Sequence, residues 1–182
     1  MSFLQLVTPP VGTLVPEAVL RAHVRVDAPE DSELLTQYEA AAHAWMDGRS
    51  GILGRAILPQ TWAETFGGWG SYRLSLPDVD AGSVVVSYDP LGDNVFVAGG
   101  TVVQRRDGAE TIVTLDGPSA AAVRVTYACA MSAARLAQVR QAALFLAAHW
   151  YRTREAVTEG VGLAEVPMSV RSLVAPLVWG AF

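Results

Sequence analysis

Residues 123–155 read VRVTYACAMSAARLAQVRQAALFLAAHWYRTRE, and the fold class turns on the change of character inside this stretch. Residues 123–127 are rich in β-branched and aromatic side chains and predict a short strand. From about Ser132 the apolar positions Leu136, Val139, Ala143, Leu146 and Trp150 fall at i, i+3, i+7, i+10 and i+14. That spacing draws a narrow packing seam along a helix. A long helix is expected over 132–158, stopped by Gly160 and Gly162.

Working back from this point, the chain reads as β-rich. Residues 72–76, 83–88, 94–98, 101–106 and 111–115 look like short strands separated by Pro77, Pro90, Gly92, Gly99, Gly100 and Gly117-Pro118. Asp107-Gly108 is a hairpin turn signal. Residues 57–66 contain Pro59, which predicts a broken or edge strand. Before them lie two helices. The first starts at Pro16, a residue suited to a first turn, and runs to about Arg25. Asp27 is expected to cap the second, with Glu30, Asp31 and Glu33 placing negative charge in its first turns. Leu34, Tyr38, Ala41 and Trp45 form one stripe of that helix. Gly48 and Gly51 end it. The first ten residues, closing on Pro9-Pro10, read as an extended arm.

Downstream, Pro167 starts a short helix and Pro176 kinks it. The chain then runs out through Leu177, Val178, Trp179 and Phe182. So apolar an end is costly to leave in water, so it either folds back or docks on another chain. The expected architecture is a single α+β domain over 1–182. An N-terminal helical hairpin (16–50) and the long C-terminal helix pack together, a β-rich insert (53–128) lies between them, and a short helical tail (167–182) follows.

The composition narrows the function classes. Hydrophobic residues make up 51% of the 182 and charged residues 17%, against roughly 25% charged in an ordinary soluble chain. A chain this poor in charge is expected to have apolar surface covered by a partner. The net charge is −5, and all 13 basic residues are arginine. A general DNA-coating protein needs basic excess, so any DNA contact is expected to be passing. Without lysine there is no Walker-type phosphate loop and no Schiff-base chemistry. The single cysteine, Cys129, forms no disulfide framework within one chain. Residues 1–10 lack the basic-then-apolar pattern of a secretory leader. The uncharged runs 125–134 and 141–150 are each shorter than the ~20 residues that span a bilayer. Synthesis in a cytoplasm and no membrane partner are the expectations.

The polar residues form no recognisable catalytic grouping. His23, His43 and His149 fall on three different predicted helices, none with a second ligand at metal spacing. No Gly-x-Ser-x-Gly elbow occurs. Asp78/Asp80 and Asp89/Asp93 are carboxylate pairs of the kind a small metal-dependent hydrolase or a calcium loop uses. Both flank Pro and Gly, where aspartate serves turns. Gly67-Gly68-Trp69-Gly70 and Gly99-Gly100 lack dinucleotide spacing and read as loops. Trp62, Phe66 and Trp69 have no basic groove beside them, so packing is a better reading than base stacking. Arg152 and Arg154 suit a helix C-terminus. No catalytic residue, metal or cofactor is expected.

The order of features along the chain nonetheless resembles one known family. Pro9-Pro10, then Pro16-Glu17-Ala18 through His23-Val24-Arg25-Val26-Asp27, is similar to the opening of the head–tail connector (adaptor) proteins of tailed phages and gene transfer agents. Gly51-Ile52-Leu53-Gly54-Arg55 followed by Gln60-Thr61-Trp62 resembles that family's Thr-Gly-Arg … Gln-Thr-Trp passage. Val84-Val85-Val86-Ser87-Tyr88-Asp89 resembles its central β-section. The most specific piece is the helix ending His149-Trp150-Tyr151-Arg152-Thr153-Arg154-Glu155, and the Pro167…Val170…Leu173…Pro176 element matches the family's close. Two departures stand out: Tyr127-Ala128-Cys129-Ala130-Met131 where the family has Tyr-x-Gly-Gly/Tyr, and Ser50-Gly51 for Thr-Gly.

The resemblance implies a non-enzymatic ring of about twelve copies at the head–tail junction of a virion or phage-like particle, assembled in a bacterial cytoplasm. It implies a portal protein above, a tail or neck protein below, and DNA passing through the channel without specific binding. Portal docking is then assigned to Pro167, Val170, Arg171, Leu173, Val174, Pro176, Leu177, Val178, Trp179 and Phe182. Helix packing is assigned to Leu34, Tyr38, Trp45, Leu136, Val139, Leu146 and Trp150. The alternatives are another neck or tail-terminator ring component, or the hydrolase.

Overall fold

The computed structural model describes residues 3–26, 31–153 and 167–180. Among the described residues, two antiparallel sheets and four α-helices make a mixed α+β fold. The chain divides into two compact units and passes between them three times. A β unit holds Met1–Val11 and Arg55–Met131; an α unit holds Gly12–Gly54 and Ser132–Phe182.

In the β unit, strands β1 (Phe3–Thr8), β2 (Gln60–Phe66), β4 (Val85–Asp89), β5 (Val97–Ala98) and β8 (Ala122–Cys129) form a sheet in the order β1-β2-β8-β4-β5. Strands β3 (Gly70–Arg73), β6 (Thr101–Asp107) and β7 (Glu110–Asp116) form a second, in the order β3-β7-β6. Central strand β8 alternates strictly. Val123, Val125, Tyr127 and Cys129 all point into the core, where they meet Phe66, Val113 and Leu115. A period of two buries one whole side of the strand, and that fixes the register.

Three features differ from the sequence reading. The N-terminal arm is a strand: β1 pairs with β2 from Phe3↔Thr65 to Leu6↔Trp62, so the β unit is more than an insert. Strand β2 is interior, flanked by β1 and β8. Pro59 lies just before its first residue, where the missing N–H interrupts no ladder bond. The β6–β7 loop is Gly108-Ala109, closed by Asp107↔Glu110. Gly108 alone of the two has positive φ, +60°, which is the type II′ preference for glycine first.

In the α unit, α1 (Glu17–Val24), α2 (Ser32–Met46), α3 (Ala133–Arg152) and α4 (Met168–Val174) pack around α3. Among the described residues no helix is long and apolar enough to cross a membrane. Helix α3 ends at Arg152, short of the expected 158, because Thr153 leaves the helical region at φ −108°, ψ +63°. The expected Asp27 cap and the Gly160/Gly162 stop lie outside the described residues. Helix α3 buries Val139, Ala143 and Leu146 together with Ala142, Leu144, Ala147 and Ala148, so its buried side is wider than a single seam. Leu136 and Trp150 are half-buried.

On α2 the buried stripe is Leu35, Glu39, Ala42 and Met46, one residue out of phase with the expected one. Leu34, Tyr38 and Trp45 are half-buried and Ala41 is exposed. The cause is Glu39. Its carboxylate accepts the backbone N–H groups of Leu14 and Val15 at 2.7 and 3.0 Å. Arg140 donates from Nε to the Leu14 carbonyl at 3.0 Å. A buried carboxylate with two backbone donors is satisfied, so a polar residue sits in the apolar stripe.

Candidate docking surfaces and acidic clusters

The C-terminal element is built by its two prolines. Pro167 caps α4, and Pro176 sits in a 3-10 turn, Ala175–Leu177. Val170, Val174 and Leu177 are buried, while Pro167, Leu173, Val178 and Trp179 are half-buried. Met168, Arg171 and Pro176 are exposed, and Phe182 lies outside the described residues. Gln138 donates to the Leu173 carbonyl, and the Trp179 N–H donates to the Leu53 carbonyl at 2.8 Å. Gly54, at φ +62°, lets the chain pass close: a Cβ there would stand 2.6 Å from the Trp179 oxygen. The described part of the apolar end, through Trp179, thus folds back, with Leu177 buried and Val178 and Trp179 half-buried. On α4 and the 3-10 turn the exposed residues are Met168, Ser169, Arg171, Ser172, Ala175 and Pro176, a face only partly apolar.

Three of the four paired carboxylates, those of Asp78, Asp89 and Asp93, are engaged by neighbouring groups. Asp78, in the left-handed region at φ +58°, pairs with the buried Arg55 at 2.7 Å. Asp80 is exposed, and its carbonyl accepts from Ser83. Asp89 is 1% exposed. Its two carboxylate oxygens accept N–H bonds from Leu91, Gly92 and Asn94 at 3.0, 2.7 and 2.8 Å. Desolvation acts to raise its pKa, but the backbone donors outweigh it and hold the carboxyl below the ordinary carboxylate value. A lowered folded-state pKa stabilises the fold above the unfolded-state value, and that stabilisation disappears as pH falls through the folded value. Asp89→Asn is therefore expected to be less stable than wild type at neutral pH, with the gap closing below about pH 4. Urea titrations at several pH values check this; a pH-independent gap contradicts it. Among the described residues no group of three His, Cys, Asp or Glu is placed to hold a metal.

The aromatics are packed. Phe66 stacks on Tyr72 with centroids 4.1 Å apart. Trp69 lies against Tyr88 and over Gly100 and Gly117, donating from its indole to the Pro118 carbonyl. Trp62 donates to Gln60 at 2.9 Å. His23 packs against Phe145 on α3, and His43 Nε2 lies 3.9 Å from Asp47 at the end of α2.

The structure adds surfaces to which the sequence reading gave no role. In the β unit the exposed large apolar side chains fall at two places. Phe3, Leu6, Val7 and Val11 lie on β1 and just beyond it. Val85, Leu91, Val95, Val97 and Val103 lie on β4, β5, β6 and the β4–β5 loop. The available signal was charge: residues 1–16 and 94–104 contain no charged residue.

No protein-family model and no curated protein sequence matches the chain. Solved structures do. A chain in the neck of an empty gene transfer agent particle, reconstructed with sixfold symmetry, superposes with a TM-score of 0.71 at 21% identity, over 99% of this chain and 97% of that one. A chain in the virion of a native gene transfer agent particle superposes with a TM-score of 0.69 at 22% identity, over 98% and 96%. The fold is thus shared, over nearly its whole length, with chains of gene transfer agent particles.

Proposed function

We propose that this chain is a structural head–tail connector: a ring under the portal that extends the DNA channel and joins capsid to tail in a phage or gene-transfer-agent-like particle. The observation that carries the reading is the end-to-end match to a chain of a particle neck. An asymmetric chain cannot sit on a rotation axis, so a sixfold reconstruction holds it in multiples of six; about twelve copies is the number proposed here. The acidic balance fits a wall that lets DNA pass without gripping it. The outward face of the C-terminal element, with Arg171, Met168 and Pro176, is the proposed portal contact in the folded-back state. No catalytic role is assigned: Asp78 is held in an ion pair, Asp89 and Asp93 in turn bonds, and Asp80 stands exposed with no group of three metal-ligating side chains around it among the described residues.

Electron microscopy of the chain mixed with the portal protein of the same genome tests the proposal. A ring of added density beneath the portal is expected, and its symmetry gives the copy number. A chain that stays monomeric and adds no density overturns the reading.

A further inference from the structure

Apart from Val103, which lies on β6 of the other sheet, the two apolar sites of the β unit lie toward opposite edges of one five-stranded sheet. Strand β1 ends the sheet on one side and β5 on the other, four strand spacings apart, roughly 19 Å. Among the described residues both edges are open. Strand β1 has β2 on one side only and carries no charge or proline over Phe3–Thr8. Strand β5 covers only Ser87 and Tyr88 of β4, which leaves Val85 61% exposed. Gly99-Gly100 then carries the chain directly into β6, also at the edge of its sheet. Natural sheets blunt their edges with charge, proline or a bulge. Here the one such device on β1 is a register shift between Leu6 and Thr8, which leaves the Phe3-to-Leu6 edge regular.

Two different open apolar edges on one unit are what head-to-tail association requires. A contact of β1 with a second β1 would close a dimer and leave the β5 edge bare. We infer that the β1 edge of one copy adds to the β4–β5 edge of the next copy, so that neighbouring β units are joined by strand addition. Backbone hydrogen bonds supply the directionality, and Phe3 and Leu6 on one side with Val95 and Val97 on the other supply the apolar burial. The inference rests on the ring reading proposed above and names the surface that builds the ring.

The test uses Leu6→Arg and Val97→Glu, both at exposed positions, in the full chain with the portal protein present. Each variant is first shown to melt as wild type does. Each alone is expected to lose at least tenfold in ring yield by electron microscopy and native mass spectrometry. An equimolar mixture is expected to regain rings in which the two variants alternate. The introduced guanidinium of one chain then meets the introduced carboxylate of the next, and every second junction is a wild-type pair of edges. Wild-type rings with undiminished rings in both single variants overturn the edge pairing and leave the ring reading standing. Failure of the wild-type chain to form a ring overturns both.

Discussion

Replacing Glu64 by alanine is expected to destabilise the β unit by roughly 3–5 kcal/mol. Glu64 lies on β2 and is fully buried. Its Oε1 accepts the Ser75 N–H at 2.6 Å and the Tyr127 hydroxyl at 2.5 Å, and its Oε2 accepts the Ser75 hydroxyl at 2.9 Å. One carboxylate thus ties β2 to central strand β8 and to the segment after β3. Alanine would leave these donors without their acceptor, at about 1–3 kcal/mol for each one that is buried, and would open a cavity beside Tyr127. Tyr127→Phe removes one bond and keeps the ring, so a smaller loss of about 1–2 kcal/mol is expected. Burial first, and then the Glu64 charge, push the Tyr127 phenol far above its ordinary value. It therefore stays a donor across the working pH range. Urea denaturation of the three proteins measures the order. A Glu64→Ala chain within 1 kcal/mol of wild type would remove the network from the account of stability.

Glu64 and Glu39 also mark where sequence reading stopped. The helical stripe of α2 was legible in period but not in phase, because the buried stripe carries a glutamate in its middle. Only the backbone of Leu14 and Val15, 25 and 24 residues away, makes that position inward. The same limit hid β1. Its partner is β2, more than 50 residues on, so nothing local distinguishes a strand from an extended arm. Features fixed by neighbours in sequence were readable: the glycine of the β6–β7 turn, the Asp89 loop, and the strand-to-helix change between 123 and 155. Asp89 was readable as a turn residue for the same reason, since it bonds residues only two to five positions ahead; the ion pair of Asp78 was not, because Arg55 lies 23 residues back. The two sheet edges were half legible. The sequence shows uncharged stretches at 1–16 and 94–104, but only the strand order reveals that they bound the same sheet. The order of motifs along the chain resembled a connector, and the fold itself is shared over nearly the whole length with chains of gene transfer agent particles.

Deleting residues 167–182 is expected to lower the melting temperature by about 10–20 °C and to loosen the α unit. Val170, Val174 and Leu177 are 0%, 1% and 5% exposed. Burial of side chains this size is worth about 1.5–3 kcal/mol each. Truncation also opens to water the faces of the α unit that these side chains cover, and a loss of about 5 kcal/mol is expected. Domain stabilities run only ~5–15 kcal/mol, so the loss is a large share of the whole. The consequence bears on how docking is assigned. A truncated chain that fails to join a portal could fail because its α unit is no longer native, and truncation cannot separate the two causes. Arg171→Glu and Met168→Glu can: both residues are exposed, and each change is expected to alter stability by no more than about 0.5 kcal/mol. Loss of portal binding in these variants, with an unchanged melt, assigns docking to the outer face of α4. Retained binding in both moves the contact elsewhere on the chain. A truncation that melts as wild type does would show instead that the inward packing of Val170, Val174 and Leu177 contributes little, leaving those side chains available to a partner.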